Sequence, residues 1–69
     1  MAYNMYKQIG KVRESLKAKE YEKDIPVDVF FKELMLLFGM RRRKAVEWTS
    51  IFCDVDLIEV KGSLLNFKE

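Results

Sequence analysis

The passage from Phe30 to Lys44 constrains this chain more than any other. An apolar-rich run ends at Phe38, a glycine follows at once, and four consecutive cations, Arg41-Arg42-Arg43-Lys44, begin two residues later. A helix is predicted over about 29–38. Phe30, Phe31, Leu34, Met35, Leu37 and Phe38 cover much of its circumference, so it should be largely buried or touch a partner. Glycine just past a helix end is a common left-handed terminator, and Gly39 stands there. Another helix is predicted over about 41–55. Ala45, Trp48, Thr49 and Phe52 share one of its sides, and Arg43, Glu47, Ser50 and Asp54 lie on the other.

The flanks have their own periods. Met5, Ile9, Val12 and Leu16 form one helical stripe, which predicts an amphipathic helix over roughly 3–21. Gly10 sits beside the stripe and weakens that helix. The polar stretch Lys19 to Asp24 should end it. Ile25-Pro26-Val27 reads as a short extended piece, an edge strand, because proline disfavours helix before it and cannot donate to a ladder. Asp28 is then the expected N-cap of the next helix. Near the end the period becomes two. Leu57-Ile58-Glu59-Val60 and Leu64-Leu65-Asn66-Phe67 flank Lys61-Gly62-Ser63, the pattern of a hairpin over about 57–67. Ile58 and Val60 should share one face, and so should Leu65 and Phe67.

With 69 residues, the chain reads as a single domain spanning 1–69. A core of that size has a thin margin, for which oligomerisation is a common remedy. An apolar fraction of 49% with nine aromatic residues argues against disorder. One cysteine, Cys53, and no histidine exclude an internal disulfide framework and zinc-site spacing, and Cys53 reads as a small buried or half-buried residue. Asp54 and Asp56 lack the further ligands a metal pair needs. No nucleophile and base, phosphate loop or catalytic constellation is recognisable. The chain is therefore expected to be no enzyme, to carry no cofactor or metal, and to show no evident small-molecule ligand. No apolar run approaches the roughly 20 residues of a membrane span, and the first residues lack a signal-peptide pattern. A cytoplasmic location and no membrane partner are expected.

The order is helix, extended piece, helix, tight turn, helix, hairpin. In this order, and in the turn residues, the chain resembles the winged helix-turn-helix DNA-binding family, of the small prokaryotic, archaeal or viral regulator type. Gly39-Met40 matches the family's glycine and following apolar residue at the turn. Phe38 and Leu34 match apolar positions one and five before the glycine, and Trp48 one nine after it. Met35 stands where the family prefers a small residue, and Ala45 where it prefers a branched aliphatic. These side chains meet at the helix crossing in the family, so the exchange would conserve volume. Arg41 stands where a Ser, Thr or Asp cap is usual. The resemblance implies a mainly α fold of three helices with a small β wing. It also implies sequence-specific binding of double-stranded DNA by a transcriptional regulator.

In such a fold the third helix enters the major groove and its first residues face the bases. By helical phase Arg43, Glu47 and Ser50 share the outward face, and Arg43 is the expected base reader, since arginine can bond guanine through two acceptors. Arg41, Arg42 and Lys44 are expected on phosphates. Glu47 either accepts from cytosine or orients Arg43 one turn earlier. Lys61 and Ser63, with Gly62, are the wing tip, which either touches phosphate or the minor groove or is a plain turn. Trp48 and Phe52 read as packing residues. Tyr3, Met5, Tyr6, Ile9 and Val12 offer more apolar surface than a minimal core needs, which suits a homodimer through the N-terminal helix. Two other functions fit the same pattern. One is a protein-interaction winged helix in a larger assembly, with the apolar second helix as contact surface and the basic block meeting an acidic partner. The other is RNA or single-strand binding, for which Tyr3, Tyr6 and Tyr21 are the candidate stacking residues.

Overall fold

The computed structural model of the protein describes the backbone of residues 5–68 and the side chains of residues 7–68. Six elements follow in order: α1 (Met5–Ala18), β1 (Ile25–Pro26), α2 (Val27–Phe38), α3 (Arg42–Asp54), β2 (Ile58–Lys61) and β3 (Leu64–Phe67). The strands form one antiparallel sheet in the order β1-β3-β2. This is the layout of a winged helix-turn-helix, mainly helical with a C-terminal hairpin. β1 lies at the edge, where proline is tolerated.

The core is continuous across the elements. Val12 and Leu16 of α1, Phe30 and Leu34 of α2, Ala45 and Phe52 of α3, and Ile25, Ile58 and Leu65 of the sheet are all buried. Phe30 is its centre. Its ring meets Phe52 at 6.5 Å and Phe67 at 6.0 Å, both edge to face, an arrangement that adds about 0.5–1.5 kcal/mol per pair beyond burial. In the hairpin Val60 pairs with Leu65 and Ile58 with Phe67. The period-two pattern thus turns these four side chains to one face, although Val60, beside the hairpin turn, stays exposed.

The helix ends explain the boundaries. Gly39 terminates α2 with φ 65° and an N–H bond to the Met35 carbonyl, as glycine at this place predicts. The other two helices stop in the same conformation without glycine. After α1, Glu20 takes φ 69°, Tyr21 N–H bonds to Leu16 O and Glu20 N–H to Lys17 O. After α3, Asp56 takes φ 64°, Leu57 N–H bonds to Phe52 O and Asp56 N–H to Cys53 O. Both are Schellman closures, in which the last residue packs back on the helix. Tyr21 and Leu57 do so against the core. α1 therefore ends at Ala18, short of the predicted 21.

The start of α2 corrects another expectation. Asp28 is not its cap. The cap position is Pro26, and the helix begins at Val27 with no side-chain cap bond. The Val27 N–H, otherwise an orphan of the first turn, donates instead to the Ser63 carbonyl at 3.0 Å. A backbone group from the hairpin turn thus does what a side-chain cap would do, and Asp28 becomes an acidic residue in the first turn.

Gly10 lies inside α1 and is exposed, and a Cβ built on it meets nothing within 4 Å. Gly10→Ala should therefore stabilise the fold by about 0.5–1 kcal/mol through helix propensity alone. A thermal melt rising by several degrees checks this; an unchanged or lower melting temperature would show that α1 is not helical there.

Candidate nucleic-acid interface

The helix-turn-helix consists of α2, the three residues Gly39-Met40-Arg41, and α3. Leu34 and Ala45 are fully buried, and Met35, Phe38, Met40 and Trp48 are half-buried against the same core. The turn positions read from the sequence thus all point inward. Thr49, also buried, donates its hydroxyl to the Ala45 carbonyl at 2.7 Å. Trp48 and Phe52 pack with ring centres 5.7 Å apart, as core residues of α3.

The outward face of α3 carries Arg43, Glu47, Ser50 and Asp54, all exposed, at a spacing that keeps them in one stripe. Arg41 occupies the N-cap in extended backbone (φ −81°, ψ 162°), and no side chain caps the helix. The first-turn N–H groups therefore add their partial positive charge to that of the arginines. The hairpin turn meets the start of α2, through the Val27 N–H bond to the Ser63 carbonyl. Gly62, with φ 62°, opens the two-residue turn as hairpins of this length require.

The four cations of the block are not equivalent. Arg42 donates to Asp28 Oδ1 at 3.1 Å, and its guanidinium lies 5.4 Å from the Phe31 ring centre. This solvent-exposed pair links the start of α3 to the start of α2, so the residue's expected role on phosphate competes with this contact. Lys44 faces Glu47 at 3.5 Å, a solvent-exposed pair of small energy. Glu47 is therefore paired with Lys44 rather than with Arg43. Arg41 and Arg43 are exposed and have no ion-pair partner among the described residues. Lys61 ends β2 and faces Glu59 at 3.7 Å. Ser63 is in the turn, with its carbonyl committed to Val27.

The wing is short in a specific sense. Pro26 pairs with Leu64 and Val27 bonds to Ser63, so the turn is level with the first residue of α2. Towards the turn, no rung of the hairpin extends past its pairing with β1.

One polar cluster was not anticipated. Glu33 of α2 is buried at 3% exposure. It accepts from the Ser15 hydroxyl at 2.6 Å and pairs with the Lys19 ammonium. Burial pushes its carboxyl up, but the Lys19 and Ser15 hydrogen bonds and the Lys19 charge outweigh this and hold it below its ordinary value. The signal was present: Glu33 sits between Phe30 and Leu34 on the inward face. Its partners, Ser15 on α1 and Lys19 just past the end of that helix, were not readable.

Elsewhere the chemistry is plain. Asp56 pairs with Lys68 at 3.0 Å. Among the described residues no three His, Cys, Asp or Glu side chains are grouped to hold a metal. Cys53 is half-buried, and burial, with Asp54 beside it, raises its thiol above the ordinary range, so it is a protonated thiol at neutral pH. Among the described residues no helix is long and apolar enough to cross a membrane. Val12, grouped by sequence with a dimer surface, is wholly buried in its own core, and Ile9 is half-buried against it. Tyr3 and the side chains of Met5 and Tyr6 lie outside the described residues. Tyr21 is half-buried, with part of its ring packed against the core. No family model, curated protein or solved structure matches the chain.

Proposed function

We propose that this protein binds double-stranded DNA, with the start of α3 in the major groove, and acts as a sequence-specific regulator without an enzymatic step. The observation that supports this best is the pair Arg41 and Arg43. They stand exposed, with no ion-pair partner among the described residues, at the uncapped start of the second helix of a helix-turn-helix. Arg43 heads the stripe it shares with Glu47 and Ser50 and reads a base; Arg41 and Lys44 hold phosphate on either side. Arg42 divides between phosphate and its exposed partner Asp28. Lys61 adds at most one phosphate contact, because the wing is flush.

The test is a mobility shift on random duplexes with selection, repeated at two salt concentrations. Affinity should fall with salt, with a slope of about −0.9 per phosphate contacted. Arg43→Ala should weaken the selected site by about 1–3 kcal/mol and relax its sequence preference. Arg41→Ala should weaken all duplexes alike and reduce the slope by about one. Binding that ignores both salt and these arginines would sink the proposal.

A second reading rests on α2. Leu36 is 75% exposed and Leu37 43%, apolar surface that a DNA-binding role leaves unexplained. A protein-interaction winged helix would use it. In that case Leu36→Asp would abolish a complex that Arg43→Ala leaves intact.

A further inference from the structure

We propose that the cleft between α1, the α1–β1 loop and β3 binds a small aromatic compound carrying phosphate, of mononucleotide size. The cleft measures about 560 Å³, within the range of about 300–1,000 Å³ in which proteins hold small molecules. Arg13 and Lys17 lie one turn apart on α1, and Lys23 reaches the cleft from the loop. Among the described residues Glu22 is the only carboxylate on its wall. Lys17 and Lys23 are exposed and have no ion-pair partner among the described residues. Lys17 and Lys23 converging on one concave surface favour an anion there.

The same wall supplies an apolar side. Tyr21 and Phe67 line the cleft and are half-buried against the core. The Arg13 guanidinium lies over the Phe67 ring, 5.6 Å from its centre, which brings charge and ring together on this wall. The frame is fixed at both ends of the loop. The closure after α1 holds Tyr21. At the other end Asp24 N–H donates to Asn66 Oδ1 at 2.9 Å, and Asn66 Nδ2 donates to Asp24 Oδ1 at 3.2 Å. A preformed site of this kind binds without the cost of ordering a loop. Cations beside rings ask for a ligand with a charged end and a flat end. The residues span Arg13 to Phe67, so no local motif announces the site, and none belongs to α3. The proposal therefore stands or falls separately from DNA binding.

The experiment is an amide-shift NMR titration of the whole chain with AMP, with adenosine, inorganic phosphate and a short single-stranded oligonucleotide as separate arms. AMP should give saturable shifts at Tyr21, Lys23, Asn66 and Phe67, and adenosine or phosphate alone should bind about tenfold more weakly or worse. The double variant Lys17→Glu/Lys23→Glu changes two exposed side chains. It should keep the parent melting temperature and weaken AMP by about tenfold or more. Four results would overturn the proposal: no saturation of AMP below about 10 mM, equal binding by the double variant, the full effect from phosphate alone, or tighter binding of the oligonucleotide, which would make the cleft a strand-binding groove.

Discussion

Phe30→Ala should leave the protein largely unfolded at room temperature. Phe30 is fully buried and is the ring on which Phe52 and Phe67 converge from α3 and β3. Deleting it removes burial and leaves a cavity between three elements at once, at a cost of about 3–5 kcal/mol. A single core in a chain this short rarely supplies more than about 3–5 kcal/mol in total. The loss and the whole stability are therefore of the same size. Circular dichroism with urea denaturation checks it, and Leu36→Ala is the control. Leu36 is 75% exposed, so that change should stay within about 0.5 kcal/mol of the parent. A cooperative transition in Phe30→Ala within about 1 kcal/mol of the parent would show that the three elements do not depend on this ring.

The second large effect belongs to Glu33. Glu33→Ala removes the acceptor for both Ser15 and Lys19, and should cost about 2–3 kcal/mol. The loss falls short of that for a fully buried pair because the Lys19 side chain is 51% exposed and can turn to water. The carboxyl is held below its ordinary value in the folded protein. Its contribution is therefore fully present above the unfolded value of about 4.3 and is lost as pH falls through the lower, folded value. Glu33→Gln keeps an acceptor for Ser15 but not the charge. It should be less stable than the parent near neutrality and should flatten the acid limb of a stability-against-pH curve. An acid limb of the same slope in the glutamine variant would assign it to other carboxylates.

Much of the architecture was legible in local pattern. The three helical stripes, the glycine at the turn and the period-two ends each state a geometry that the fold adopts, because each depends on neighbours within a few residues. What escaped notice depends on distant partners. Asp28 is a good capping residue, yet it does not cap, because the carbonyl of the distant Ser63 reaches the N–H of Val27, the first of the helix. Glu20 and Asp56 end helices in a conformation that sequence rules reserve for glycine or asparagine, since packing of the next residue against the core decides the matter. The basic block was visible as four equal charges. Its division into Arg42 paired with Asp28, Lys44 paired with Glu47, and two arginines with no ion-pair partner among the described residues appears only in the folded chain. Glu33 was hidden for the same reason, as its partners are 14 and 18 residues away.

The flush hairpin carries a consequence for information rather than for energy. Under the proposed function, a molecule whose wing stops level with its second helix reads sequence with one helix start, which reaches roughly four base pairs. A four-letter word recurs by chance about once in every 250 base pairs, while a genome offers on the order of a million competing positions or more. One copy cannot single out an address. Two copies on a repeated or inverted site square the odds, and three or more on a cluster raise them further. Selectivity would then be a property of how sites are arranged along the DNA. The selected sequences should accordingly contain the same short word more than once, at fixed spacing.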